Sequence, residues 1–187
     1  MKTSQLTEQN WSQNNYIQAY KFAANKHQGQ TIPGSTIPYI MHLSFVAMEV
    51  MAALSIEKHH DGDLAIQCAI LHDAIEDTDT TYDQIKSEFG ESVANGVLAL
   101  TKDNSLAKNL QMADSLRRIK QHSPEIWMVK LADRITNLQA PPYYWNQDKI
   151  IGYREEGMQI YAALKDASPF LASRLASKIE DYQEFIN

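Results

Sequence analysis

The run Leu71-His72-Asp73-Ala74-Ile75-Glu76-Asp77-Thr78 brings an imidazole and three carboxylates together behind an apolar stretch. That approach, Leu64-Ala65-Ile66-Gln67-Cys68-Ala69-Ile70-Leu71, is too apolar for a solvated face, so the polar block ends a helix built into a core. A histidine buried beside an aspartate needs a compensating partner. A divalent cation serves, because it neutralises the carboxylate and takes the imidazole lone pair together. Residues four apart share a helical face, which puts His72 near Glu76 and Asp73 near Asp77. Two tiers result, with ligands in one and proton carriers a turn beyond.

Two other segments carry matching residues. Pro38-Tyr39-Ile40-Met41-His42 puts a histidine in the first turn of an apolar helix, and Leu131-Ala132-Asp133-Arg134-Ile135-Thr136-Asn137 puts Asp133 and Asn137 on one face. Taken singly, His42 reads as a satisfied core histidine and Asp133 as the partner of a base. Taken together, His42, His72, Asp73 and Asp133 form a two-histidine, two-carboxylate set from three helices. Such a set suits a divalent metal that keeps positions open for water or substrate.

The elements that must position these residues are helical. Tyr16, Ile17, Tyr20, Ala23, Ala24 and His27 recur at helical spacing after Ser12, and the pattern stops before Gly29. Two glycines and two prolines in residues 29–38 make a loop. Pro38 can open a second helix that turns His42, Phe45, Val46 and Val50 inward and ends near Leu54. Residues 57–63 are a polar connector into the His72 helix. Thr80 or Thr81 can cap a short helix through Phe89, closed by Gly90, and residues 91–101 form another. A weaker pattern covers 106–121. Ser123-Pro124 starts the Asp133 helix and Pro141-Pro142 stops it, before two last helices over 147–165 and 168–185. No strand, repeat or low-complexity tract is visible, so the expectation is an all-α, orthogonally packed bundle.

At 187 residues the chain suits one domain spanning 1–187. Hydrophobic and charged contents of 44% and 21% exclude a disordered chain. A formal net charge of -6 repels polyanions and argues against a nucleic-acid groove, while leaving room for a small phosphorylated ligand in a locally basic pocket. The single cysteine, Cys68, reads as an inert core residue. There is no apolar signal core at the N-terminus, and Glu49 interrupts the longest apolar run. A cytoplasmic protein without membrane partners is expected, and its oligomeric state is open.

The order His42, then His72-Asp73, then Asp133 resembles the HD superfamily. More narrowly, Lys26-His27-Gln28-Gly29-Gln30, Pro38-Tyr39-Ile40-Met41-His42, the Glu76-Asp77 pair after His-Asp, and Lys130-Leu131-Ala132-Asp133-Arg134 with Asn137-Leu138 are similar to the hydrolase domain of RelA/SpoT enzymes and to free-standing small alarmone hydrolases. The resemblance covers residues 16–164. It implies an HD-domain helical bundle that hydrolyses the 3′-pyrophosphate of (p)ppGpp to GDP or GTP and pyrophosphate, usually with manganese. In it, His42, His72, Asp73 and Asp133 hold the metal. Glu76 and Asp77 orient or deprotonate water or serve the leaving group, and Asn137 contacts the nucleotide sugar. The family's basic residue that packs on the guanine is absent, since Thr31 and Ile32 follow Gln30, and Gln139 stands where an arginine is common. Lys21, Lys26, Lys102, Lys130 and Arg154 are candidates for phosphate charge, with Lys130 and Arg154 preferred. Tyr153 and Tyr161 can flank the pocket or simply pack in the core. Two other readings stay open: an HD phosphohydrolase of another nucleotide (ppApp, the 2′-phosphate of NADPH, or a dNTP), and a metal or nucleotide sensor without turnover.

Overall fold

A computed structural model describes residues 10–186. Ten α-helices follow one another: α1 (Gln13–Lys26), α2 (Ile40–Ile56), α3 (Gly62–Leu71), α4 (Ala74–Asp77), α5 (Tyr82–Phe89), α6 (Glu91–Leu100), α7 (Lys108–Ile119), α8 (Pro124–Asn137), α9 (Gln147–Leu164) and α10 (Pro169–Asp181). Short 3-10 turns follow α9 and α10. Among the described residues the only β pairing is one isolated antiparallel bridge, Thr31 to Pro38, so the chain is all-α as its sequence leads one to expect.

Local punctuation accounts for most boundaries. Asp61 caps α3 by accepting from the Leu64 N–H, Thr81 and Gln84 form a reciprocal capping box on α5, and Ser168 caps α10 ahead of Pro169. Gly90 ends α5 and begins α6 at φ 89° and ψ 168°, a conformation that only glycine adopts without strain.

Helix α3 is the centre of the molecule. Ala65, Ile66, Cys68, Ala69, Ile70 and Leu71 are all buried, because α1, α2, α6 and α8 pack around it. A helix covered on all sides needs no amphipathic stripe, which is why this one reads as a continuous apolar run. Helices α9 and α10 cover the far side of α8, and α7 packs on α6.

Three expectations are corrected. Phe45 is not a core residue but stands 43% exposed on α2. The connector at 57–63 is not simply solvated, since His60 is buried with its Nδ1 at 3.2 Å from the Glu125 carboxylate of α8. Finally, α3 stops at Leu71, and α4 restarts at Ala74. The Asp77 N–H still donates to the Asp73 carbonyl at 2.8 Å, so the one-turn relation between those residues survives the break.

Candidate metal centre and adjoining cavity

Each group in the cluster is delivered by the end or middle of a core helix. His42 lies in the first turn of α2, His72 and Asp73 form the junction of α3 and α4, and Asp133 faces inward from the middle of α8. The imidazole Nε2 atoms of His42 and His72 face each other at 3.4 Å. His42 Nε2 lies 3.5 Å from Asp133 Oδ1 and 3.7 Å from Asp73 Oδ2, while His72 Nε2 lies 2.9 Å from Asp73 Oδ2 and 3.7 Å from Asp133 Oδ1. His42, His72 and Asp133 make the compact trio able to share one ion, and Asp73 closes on it through both imidazoles.

The donor chemistry fits a divalent cation. His72 Nδ1 donates its hydrogen to the Ala69 carbonyl at 2.8 Å, which turns Nε2 to the centre. Burial opposes charge on His72, yet Asp73 and Asp133 push its pKa well up despite it. Burial also opposes ionisation of the two aspartates, and here His72 and Lys130 respectively outweigh it and hold them well below the usual carboxylate range. Two imidazoles and two carboxylates that face one another at these distances are borderline-to-hard ligands able to accept a metal.

Supporting contacts surround the four groups. The Tyr39 hydroxyl donates to Asp73 Oδ2 at 2.6 Å, and its ring stacks on His27 at 5.3 Å. The Asn137 amide donates to Asp133 Oδ1 at 2.5 Å, and Lys130 donates to Oδ2 at 3.0 Å. Beyond the cluster, Glu76 accepts from the Lys102 backbone N–H at 2.9 Å and from its ammonium at 3.0 Å. Asp77 accepts from the Gln30 amide at 3.5 Å, and Gln30 Oε1 lies 2.5 Å from His27 Nδ1. Burial, with Asp73 and Glu76 nearby, raises the Asp77 pKa against the Gln30 and His27 contributions.

A cavity of about 350 Å³ opens beside His42. Ile32, Pro33 and Ile37 of one loop, Pro142 and Trp145 of another, and Phe45, Asn137 and Tyr153 line it. None of its lining residues is Lys, Arg, Asp or Glu. A Cβ at Gly34 would lie 3.4 Å from the side chains of Pro142 and Tyr144, so the loops at 29–38 and 138–146 run close together there. A larger cavity, about 510 Å³, lies beyond Lys102 between α6 and α7 and includes no member of the cluster. The smaller one is the substrate candidate, because it is the one that reaches a candidate ligand.

The sequence-derived residues therefore divide. His42, His72, Asp73 and Asp133 converge; Glu76 and Asp77 stand next to them; Asn137 and Tyr153 line the cavity. Three placements differ from expectation. Thr31 is held in the bridge to Pro38 and does not line the cavity, where Ile32 does. Arg154 donates to the Ile179 carbonyl and serves the α9–α10 contact. Lys130 is buried on Asp133, and with Lys102 and Lys108 it lines a cleft of about 40 Å³. Sequence reasoning also passed over Tyr39, whose only cue was its place next to the His42 helix, and the pairing of Lys102 with Glu76, which had none.

Comparison with known proteins agrees with this arrangement. The family model for the HD domain matches residues 19–169. The zebrafish (Danio rerio) guanosine-3′,5′-bis(diphosphate) 3′-pyrophosphohydrolase MESH1 is 34% identical over 173 residues, covering 85% of this chain and 89% of the relative. The Mus musculus protein of that name is 32% identical, with 88% and 93% covered. A 3′-pyrophosphohydrolase of Aquifex aeolicus is 36% identical over 149 residues, 78% of this chain, but the match spans only 20% of that longer protein. The solved structure of a metazoan ortholog of SpoT that hydrolyzes ppGpp superposes with a TM-score of 0.79 over 91% of this chain and 97% of that one, and at 24% identity the likeness is one of fold. The chain thus belongs to the HD-domain family, in the branch of the guanosine-3′,5′-bis(diphosphate) 3′-pyrophosphohydrolases.

Proposed function

We propose that this protein removes the 3′-pyrophosphate of (p)ppGpp, with His42, His72, Asp73 and Asp133 holding a manganese ion. The observation that carries the reading is the meeting of two imidazole Nε2 atoms and two carboxylates at the mouth of an apolar cavity of nucleoside size. The names of the zebrafish and mouse relatives support it. A divalent metal at such a site supplies Lewis acidity toward phosphoryl oxygen and a lowered pKa for water.

The chain's own residues do the rest. The cavity holds the nucleoside, with the base between Ile32 and Trp145 and the Asn137 amide reaching the sugar. Asp77, its carboxyl destabilised as an anion, takes or returns the proton that moves during attack. Glu76 is oriented by Lys102, ready to align the nucleophile or steady the leaving group. Lys102, close enough to Asp133 and Asp73 to feel their charge, offsets phosphate charge, while Lys130 stays paired with Asp133.

A second reading is favoured by one observation. Nothing charged faces the base, so an adenine nucleotide meets the same walls as a guanine one. Product analysis of the purified, manganese-loaded protein against ppGpp, ppApp, NADPH and dNTPs decides the substrate. Release of pyrophosphate from ppGpp is expected. Release of phosphate from NADPH or triphosphate from a dNTP, with ppGpp untouched, overturns the proposal.

A further inference from the structure

Glu76 is oriented by the backbone as well as by a side chain. The Lys102 N–H reaches Oε2 at 2.9 Å, and an N–H cannot swing as an ammonium can, so the carboxylate follows the path of the chain just beyond α6. That path leaves the helix at Thr101, in an extended conformation with φ -66° and ψ 130°, after which the last carbonyls of α6 lack helical partners.

Arg118, on α7, supplies them. Its Nη1 donates to the carbonyls of Leu98 and Ala99 at 3.1 and 2.9 Å, and its Nη2 to that of Thr101 at 2.8 Å. The guanidinium is aimed in turn by Asp114, which accepts from Nε at 2.7 Å. One planar fork thus ties three of the four carbonyls before Lys102, a task a single ammonium cannot copy. We propose that Arg118 is a positioning residue for Glu76: it fixes the end of α6 so that the Lys102 N–H meets the carboxylate. It touches neither the metal cluster nor the cavity beside His42. The inference rests on the reading of Glu76 as a catalytic group, and it adds to that reading a control point on a different helix.

Arg118→Lys keeps the charge and removes the fork. Amide hydrogen exchange and kinetics on the manganese-loaded protein with ppGpp, each in wild-type and Glu76→Gln backgrounds, test the idea. The Lys102 amide should exchange at least about tenfold faster in Arg118→Lys, with the amides of Val129 and Leu131 in α8 unchanged. The kcat should fall about tenfold at constant KM, and less than about twofold when Glu76→Gln is already present. Should Arg118→Lys not fold, Asp114→Asn unlatches the guanidinium while leaving it in place and carries the same expectations. Unchanged exchange at Lys102, faster exchange throughout α8, or an equal kcat loss in both backgrounds overturns the proposal. A wild type that leaves ppGpp intact sinks the hydrolase reading instead, and exchange at Lys102 then decides the role of Arg118 alone.

Discussion

Among single residues, the break between α3 and α4 separates two kinds of carboxylate. His72 and Asp73 sit at the junction against the other imidazole, whereas Glu76 and Asp77 are tied outward to Lys102 and Gln30. His72→Ala is therefore expected to lose metal and turnover together, and to unfold more easily because buried carboxylates lose their compensation. Glu76→Gln and Asp77→Asn should keep the metal and slow hydrolysis by about two to four orders of magnitude. Metal analysis beside steady-state kinetics checks both, and metal loss from either acid variant would make that residue a ligand. Base recognition belongs to this scale as well. Apolar walls alone separate close analogues by about 1–3 kcal/mol, so ppGpp and ppApp should differ by no more than about a hundredfold in kcat/KM. Because Ile32 and not Thr31 faces the cavity, Ile32→Arg is the substitution expected to favour guanine, by stacking a cation on the ring. Strict guanine selectivity in the wild type would show that a polar group such as Asn137 or Gln139 already reads the base.

For the elements, Gly90 is the sharpest local test of the chain path. Its positive φ joins α5 directly to α6 with open space around the missing Cβ, so Gly90→Ala meets backbone strain and no clash. A loss of about 1–3 kcal/mol in chemical denaturation is expected, with kcat per folded molecule unchanged. Most helices were legible because their signals are local: Thr81 with Gln84, Gly90, Ser123-Pro124 and Pro141-Pro142 each act within a turn of themselves. The convergence of His42, His72, Asp73 and Asp133 was legible because adjacent His-Asp and a histidine in the first turn of a helix are short-range patterns. What escaped depends on distant packing. Phe45 looks apolar and inward until the cavity beside α2 is seen, and Arg154 looks free until α10 is laid across α9. Likewise, nothing around residue 60 announces that Glu125, 65 positions later, will bury it.

In the molecule as a whole, Glu125 joins the α2–α3 connector to α8. It accepts from the Asp61 N–H at 3.0 Å and faces His60 Nδ1 at 3.2 Å. Burial raises the Glu125 pKa, but hydrogen bonds to the carboxylate outweigh it and leave the value below that of an ordinary glutamate. A lowered native pKa stabilises the fold above the unfolded-chain value of about 4.3, and that contribution disappears as pH falls through the native value. Glu125→Gln should thus cost stability at pH 7 and lose most of its effect near pH 3. Urea titrations of both proteins at the two pH values measure this, and an equal difference at both would show that the contact owes nothing to ionisation.

The loops that run close together at Gly34 and Pro142 carry a longer consequence. The clustered imidazoles and carboxylates stand on core helices or at their ends, while much of the lining of the cavity comes from two loops. Surface segments tolerate exchange, insertion and drift far better than a close-packed interior does. Descendants of this chain can therefore acquire a new nucleotide by rewriting residues 29–38 and 138–146, with the hydrolytic centre passed on intact. Heredity can revise the reader without touching the blade.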